Sequence, residues 1–217
     1  MSSSATGTAG GQQAARSYLR EAITRGELAP GHRLVETDLV DLIGVSRGAV
    51  RLALDALTAE GLVERVPHRG ARVRRVSTAE AVAITECRMA LEGLLAARAA
   101  QRAGDEQVAA LREQLERMRR AVAAGELMRY SDLVQELYEL IRACAAQPVA
   151  GALVERLRAQ IVRHQFRLSL RPGRPQVSLA GLTAVVEAIA ERNPDAAEAA
   201  VRAHLAGVAA ALREPNG

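Results

Sequence analysis

Arg47 and Arg51 stand four residues apart in GVSRGAVRLAL (residues 44–54). On a helix that spacing places both on one face, opposite Val50, Leu54 and Leu57. Guanidinium forks near the start of an exposed helix suit the base edges of a DNA major groove, with guanine the favoured partner. Ser46 precedes them, placed to cap the helix and to offer a hydroxyl or backbone N–H to a phosphate. Arg33 comes just before the preceding helix. Arg69-Gly70 sits at a hairpin tip, where glycine lets the backbone approach a groove. A second group lies further along the chain. Arg88 shares a helical face with Ile84, Leu91 and Leu95, so it points toward an apolar interior, where a lone guanidinium would be expensive. Its partner is either Glu92, one turn on, or the carboxylate or phosphate of a bound effector, with Glu92 fixing the direction of Arg88. Tyr138 shares a face with Val134, Leu137 and Ile141, and His204 with Val201, Leu205 and Val208. Each alone fits an ordinary core position. With Arg88 they are the polar groups expected to converge in an apolar cavity. Arg142, Arg163, His164 and Arg167 are candidates for its rim.

The elements that must position these residues are legible from periodicity and punctuation. Residues 1–11 read as a flexible polar tail, and 12–25 as a helix with Ala15, Leu19, Ala22 and Ile23 on one face. GELAPG ends it. A short helix over 36–43 stops at Gly44, and the arginine-bearing helix runs over 47–60 to Gly61. LVERV and ARVRRV, around PHRG, read as two short strands. Helix, helix, turn, helix and hairpin make a winged helix-turn-helix within residues 12–76. From Ser77 the texture changes to six helical stretches, about 78–103, 105–124, 127–146, 148–171, 175–191 and 194–213, broken at glycines and prolines. The expected fold class is therefore mainly α: an N-terminal winged helix-turn-helix and a C-terminal all-helical bundle over 77–217, joined by a short linker near Val76–Thr78.

Composition agrees. The chain has 217 residues, 49% apolar and only 2% aromatic, so its core must be aliphatic, which favours helices over strands. Formal net charge is +4, and all 29 cationic side chains are arginine. Residues 12–76 hold 11 Arg against 8 acids, an excess suited to a nucleic-acid partner. Cys87 and Cys144 lie outside any CxxC spacing, which speaks against a metal or redox site there. MSSSATGTAGG lacks the basic and apolar regions of a signal peptide, and no apolar run approaches the roughly 20 residues needed to span a bilayer. A soluble, cytoplasmic protein is expected. No nucleophile–base pairing, phosphate loop or metal cluster is visible, and His32, His68, His164 and His204 are scattered, so an enzyme is the remote alternative.

RGELAPGHRL followed by GVSRGAVRLALDALTAEGLVERVPHRGARV closely resembles the winged-helix domain of the GntR family of bacterial transcription regulators. TECRMALEGLLAARAA (85–100) resembles the start of the FCD effector domain of its FadR-like subfamily, in which an Arg and a Glu recur four apart. Six C-terminal helices resemble the VanR-type branch. The resemblance implies a homodimer on a pseudo-palindromic operator of double-stranded DNA, with repression the commoner sign and a small-molecule effector, such as a carboxylate, tuning its grip. Arg33, Ser46, Arg47, Arg51, Arg69 and Gly70 carry over as DNA contacts. Two departures stand out: Gly48-Ala49 where relatives commonly have Thr-Pro, and Val40 where a small residue is usual. Many FCD domains also hold a divalent metal with one Asp and three His. By the apolar pattern of LYELIRACAAQPV, the Asp and first two His positions fall on Val134, Tyr138 and Leu182, and only His204 survives. A rival register uses Asp132, whose partner four residues on is Glu136 and still not a histidine. No metal or other cofactor is therefore expected. The lost ligands keep open the alternative of a constitutive repressor whose helical domain only dimerises.

Overall fold

The computed structural model describes residues 4–67 and 70–214. Contacts divide the chain into two units, Met1–Val76 and Ser77–Gly217.

In the first unit, α1 (Ser4–Thr24) packs on α3 (Arg47–Ala59), with α2 (Glu36–Ile43) beside α3. Leu19, Leu54 and Leu57 are fully enclosed, together with Ala15, Val50 and Ala53. β1 (Arg33–Leu34), β2 (Val63–Val66) and β3 (Gly70–Val73) form an antiparallel sheet in the order β1-β3-β2, with Arg33 opposite Arg72 and Val66 opposite Gly70. Sequence patterning yields only the β2–β3 hairpin. A two-residue β1 is too short to show alternation, and it exists because β3 offers it a ladder. Helix α1 also begins at Ser4, inside the stretch read as a tail. Gly11 accounts for part of that difference: a Cβ there would sit 3.4 Å from the Cβ of Ala49 and 3.6 Å from that of Val45. A close crossing with α3 thus supports a glycine-containing turn that helix propensity alone disfavours. Glu60, at the end of α3, anchors the same crossing from the other side. Its carboxylate lies 2.6 Å from both Arg16 and Arg20 of α1. Gly44 takes the left-handed conformation (φ 72°) and donates its N–H to the Val40 carbonyl, which closes α2 and permits the turn into α3.

The second unit is built around α4 (Thr78–Arg102), which packs along α9 (Pro194–Arg213) and against α6 (Leu127–Ala145), α7 (Pro148–Ser169) and α8 (Arg174–Ala190). α5 (Asp105–Ala123) lies on α6 and α8. Starts are set locally: Ser77, Gln147 and Asn193 accept hydrogen bonds from backbone N–H groups of the first turns, and Pro148 and Pro194 open their helices. The six stretches read from sequence agree with α4–α9 to within two residues, the largest gap being at Ser169, where α7 ends. Leu95, Leu111, Leu115, Met118, Leu133, Leu137 and Ile161 form the aliphatic core. No helix among the described residues is long and apolar enough to cross a membrane.

Candidate DNA-reading face and effector pocket

Ser46 caps α3 with extended backbone (φ −65°, ψ 152°), its Oγ accepting the Ala49 N–H at 3.2 Å. The hydroxyl proton is left to donate outward. Arg47 and Arg51 are 70% and 66% exposed on the open face of α3, while Ala49, Val50, Ala53 and Leu54 are buried on the other. Sequence reasoning missed what holds these arginines. Glu36, in the first turn of α2, accepts from Arg47 Nε at 3.1 Å, and its other oxygen lies 3.9 Å from Arg51 Nε and 3.7 Å from Arg65 Nη1. Arg65, on β2, is held in turn by Asp55 at 2.7 Å. One carboxylate therefore ties the start of α2 to the reading face. Glu36 grips Arg47 through Nε, so the terminal fork that suits a guanine edge is not spent on it. Arg33 is exposed on β1, across from Arg72, whose own Nε pairs with Glu64. Gly70 opens β3 with φ 82°, a conformation that L side chains rarely adopt. Arg69 lies outside the described residues, as does His68.

In the second unit Arg88, Tyr138 and His204 line one cavity of about 70 Å³. Val134, Tyr130, Arg174 and Ser178 line it too. α4 supplies Arg88, α6 the two tyrosines, α8 Arg174 and α9 His204. The rim candidates Arg142, Arg163, His164 and Arg167 are not among the lining residues. α7 contributes Gln165, Leu168 and Ser169 instead, and Arg142 faces Glu155 at 3.6 Å. A helix turns about 100° per residue, so neighbours of a lining position diverge from it. Tyr130 could have been found in the sequence, since residues 130, 134 and 138 share a face. Arg174, in a stretch that reads as a break, carried no such signal.

Arg88 is completely buried. Its Nε donates to Glu92 Oε1 at 2.6 Å, while Nη1 and Nη2 find no partner among the described residues. Burial is the largest single influence and opposes its charge, but the charge and hydrogen bond of Glu92, with Tyr138 adding to them, together hold the guanidinium above its ordinary pKa. Both readings of Arg88 thus meet in one side chain: Glu92 takes one N–H and the remaining fork is open. Arg158 of α7 is also buried. It stacks 3.8 Å from the centre of the Tyr138 ring, donates to Gln135 Oε1 at 2.6 Å and lies 3.8 Å from Glu92. Burial lowers its pKa to about 10, partly offset by Glu92. The same cause raises the Tyr138 phenol well above its ordinary value and that of Tyr130 to about 12. The Tyr130 hydroxyl sits beside Ser178, but not in hydrogen-bonding geometry. His204 is lowered to about 4, first by burial, so the imidazole is neutral at pH 7. Gly181 of α8 backs it so closely that a Cβ there would lie 2.7 Å from Nδ1.

A tight divalent-metal site needs about four donors. Val134 and Leu182 offer none, and no three His, Cys, Asp or Glu side chains gather among the described residues. The residues present do not fit the metal that many FCD domains hold.

Residues 83–207 match the FCD domain family, and residues 12–73 match the gntR family of bacterial regulatory proteins. The chain is 28% identical to the HTH-type transcriptional repressor RspR of Escherichia coli K12, over 90% of this chain and 86% of that one. It is 27% identical to the HTH-type transcriptional repressor NanR of Salmonella newport, over 88% of this chain and 81% of that one. Among solved structures, Escherichia coli McbR/YncC shares the fold with a TM-score of 0.79 at 20% identity, covering 93% of this chain and 96% of that one. A winged helix-turn-helix with a helical domain of this kind defines a DNA-binding transcription regulator, not an enzyme. The chain belongs to the GntR family and carries the FCD effector domain.

Proposed function

We propose that the protein is a homodimeric repressor, of the VanR-type branch, that grips a pseudo-palindromic operator and responds to a small organic acid in the α4–α9 bundle. The six C-terminal helices support the branch. On this reading Arg47 and Arg51 read bases, Ser46, Arg33 and the Arg69-Gly70 wing tip contact the DNA around them, and Arg88, Tyr138 and His204 receive the acid. No metal takes part. The observation that carries the effector assignment is Arg88, whose Nη1 and Nη2 are buried, charged and unpartnered at a cavity wall. A carboxylate supplies the two acceptors that this fork lacks.

An effector switches such a protein only by binding one state of the dimer better than the other. The test pairs two measurements on the full chain: thermal stability across a panel of small organic acids, and affinity for an operator mapped by footprinting beside the protein's own gene. A stabilising acid should change operator affinity by about 5- to 150-fold. Stabilisation with constant operator affinity would leave a helical domain that only dimerises and would overturn the switch. Sedimentation showing a monomer on the operator would overturn the homodimer.

A further inference from the structure

Charge around the cavity does not balance. Arg88 and Arg158 share a single carboxylate, Glu92, at 2.6 and 3.8 Å. Two guanidiniums on one carboxylate leave one positive charge over. Arg174 reaches the same cavity from the first turn of α8, and its buried Nε has no partner among the described residues. Glu155 faces Arg142 at 3.6 Å, and Glu214, which acts on Arg174, lies 3.7 Å from Arg171 and is shared between the two. Among the described residues that line the cavity there is no Asp or Glu, and His204 is neutral. The wall therefore carries an excess of two positive charges, and the one on the buried pair Arg88 and Arg158 is costly unless something supplies the counter-charge.

The two excess charges enter the cavity from different helices, Arg88 from α4 and Arg174 from α8, and define its two poles. Arg88 interacts with Glu92 and Tyr138, whereas Arg174 interacts first with Glu214 and then with Tyr130, and His204 feels both arginines. Each pole has an orphaned donor set: the Arg88 fork at one, Arg174 Nε with the Tyr130 hydroxyl at the other. The same wall is apolar at Val134, Leu205 and Val208. Resting on the reading of this cavity as the effector site, we propose that the ligand is a short-chain dicarboxylate. One carboxylate lies on the Arg88 fork and the other on Arg174 and Tyr130, with a few methylene-sized groups along the apolar strip. A cavity of about 70 Å³ limits the chain to a few carbons.

Titration calorimetry on the full chain with butyrate, succinate, succinamate, glutarate and adipate tests this. One of the diacids should bind about ten- to a hundredfold more tightly than the monoacid or the half-amide, the range expected for a hydrogen bond to a charged group. Arg174→Gln should reduce that diacid to the monoacid's affinity and leave butyrate unchanged. Diacids binding no more tightly than butyrate overturn the second pole while the Arg88 reading stands. An unchanged diacid preference in a folded Arg174→Gln does the same. Binding of none of the anions overturns the anion pocket altogether. Should Arg174→Gln not fold, the comparison of succinate with succinamate on the unaltered protein decides alone.

Discussion

His204 is the titrating side chain in the pocket whose protonation the fold opposes. Burial depresses its pKa to about 4; Glu92 pulls the other way, and Arg88, Arg174 and Arg158 reinforce the depression. An unfolded histidine takes up its proton near pH 6.5. Between those values the unfolded chain binds more protons than the folded one, so stability falls as pH drops through that window and is fully present above it. The expected loss is on the order of 2 kcal/mol between pH 7 and pH 4.5. Urea unfolding should show it, and His204→Asn should flatten that part of the profile. A profile unchanged by the substitution would mean the imidazole is better solvated than its surroundings imply. Arg88, Tyr138 and His204 were legible in the sequence because each interrupts an apolar helical face. Glu36, Arg158 and Arg174 were not. Glu36 acts across an element boundary, and in a chain whose only cationic side chain is arginine, finding one more carries no information.

Helix α8 fits α9 through an absence. Gly181 has no side chain where one would collide with His204: an added Cβ lies 2.7 Å from Nδ1 and 3.3 Å from the ring's Cγ. Gly181→Ala should therefore push the imidazole out of place and cost about 1–3 kcal/mol, against a gain of about 1 kcal/mol from helix propensity. In a His204→Ala background the collision partner is gone, and the same substitution should become neutral or stabilising. A double-mutant cycle by denaturant unfolding reads that sign change; additive effects would place the collision elsewhere. The helices themselves were easy to read, because Gly104, Gly125, Pro148 and Pro194 punctuate them. The elements that escaped are those made by tertiary contact: β1, supported only by its ladder with β3, and the first turns of α1, supported by the crossing at Gly11.

For the molecule as a whole, the change of texture at Ser77 coincides with the start of the second unit, but a second copy leaves no signature in one chain's pattern. Operator binding should report both the reading face and the copy number. Arg47→Ala should abolish preference for the operator over random DNA. Arg33→Ala should weaken binding to all sequences alike and reduce the slope of log affinity against log salt by about 2, one phosphate contact per protomer. Filter binding or fluorescence anisotropy across salt concentrations measures both. If Arg47→Ala kept full operator preference, α3 would not be the reading helix.

Gly48 gives the reading face its last consequence. It lies exposed in the first turn of α3, beside Arg47, and a Cβ built there meets no atom within 4 Å. Its backbone is helical, so a side chain at that position incurs neither collision nor strain. The fold places no veto on what stands there. On the proposed reading of α3, a side chain put there changes what the helix presents to DNA and leaves the scaffold as it is.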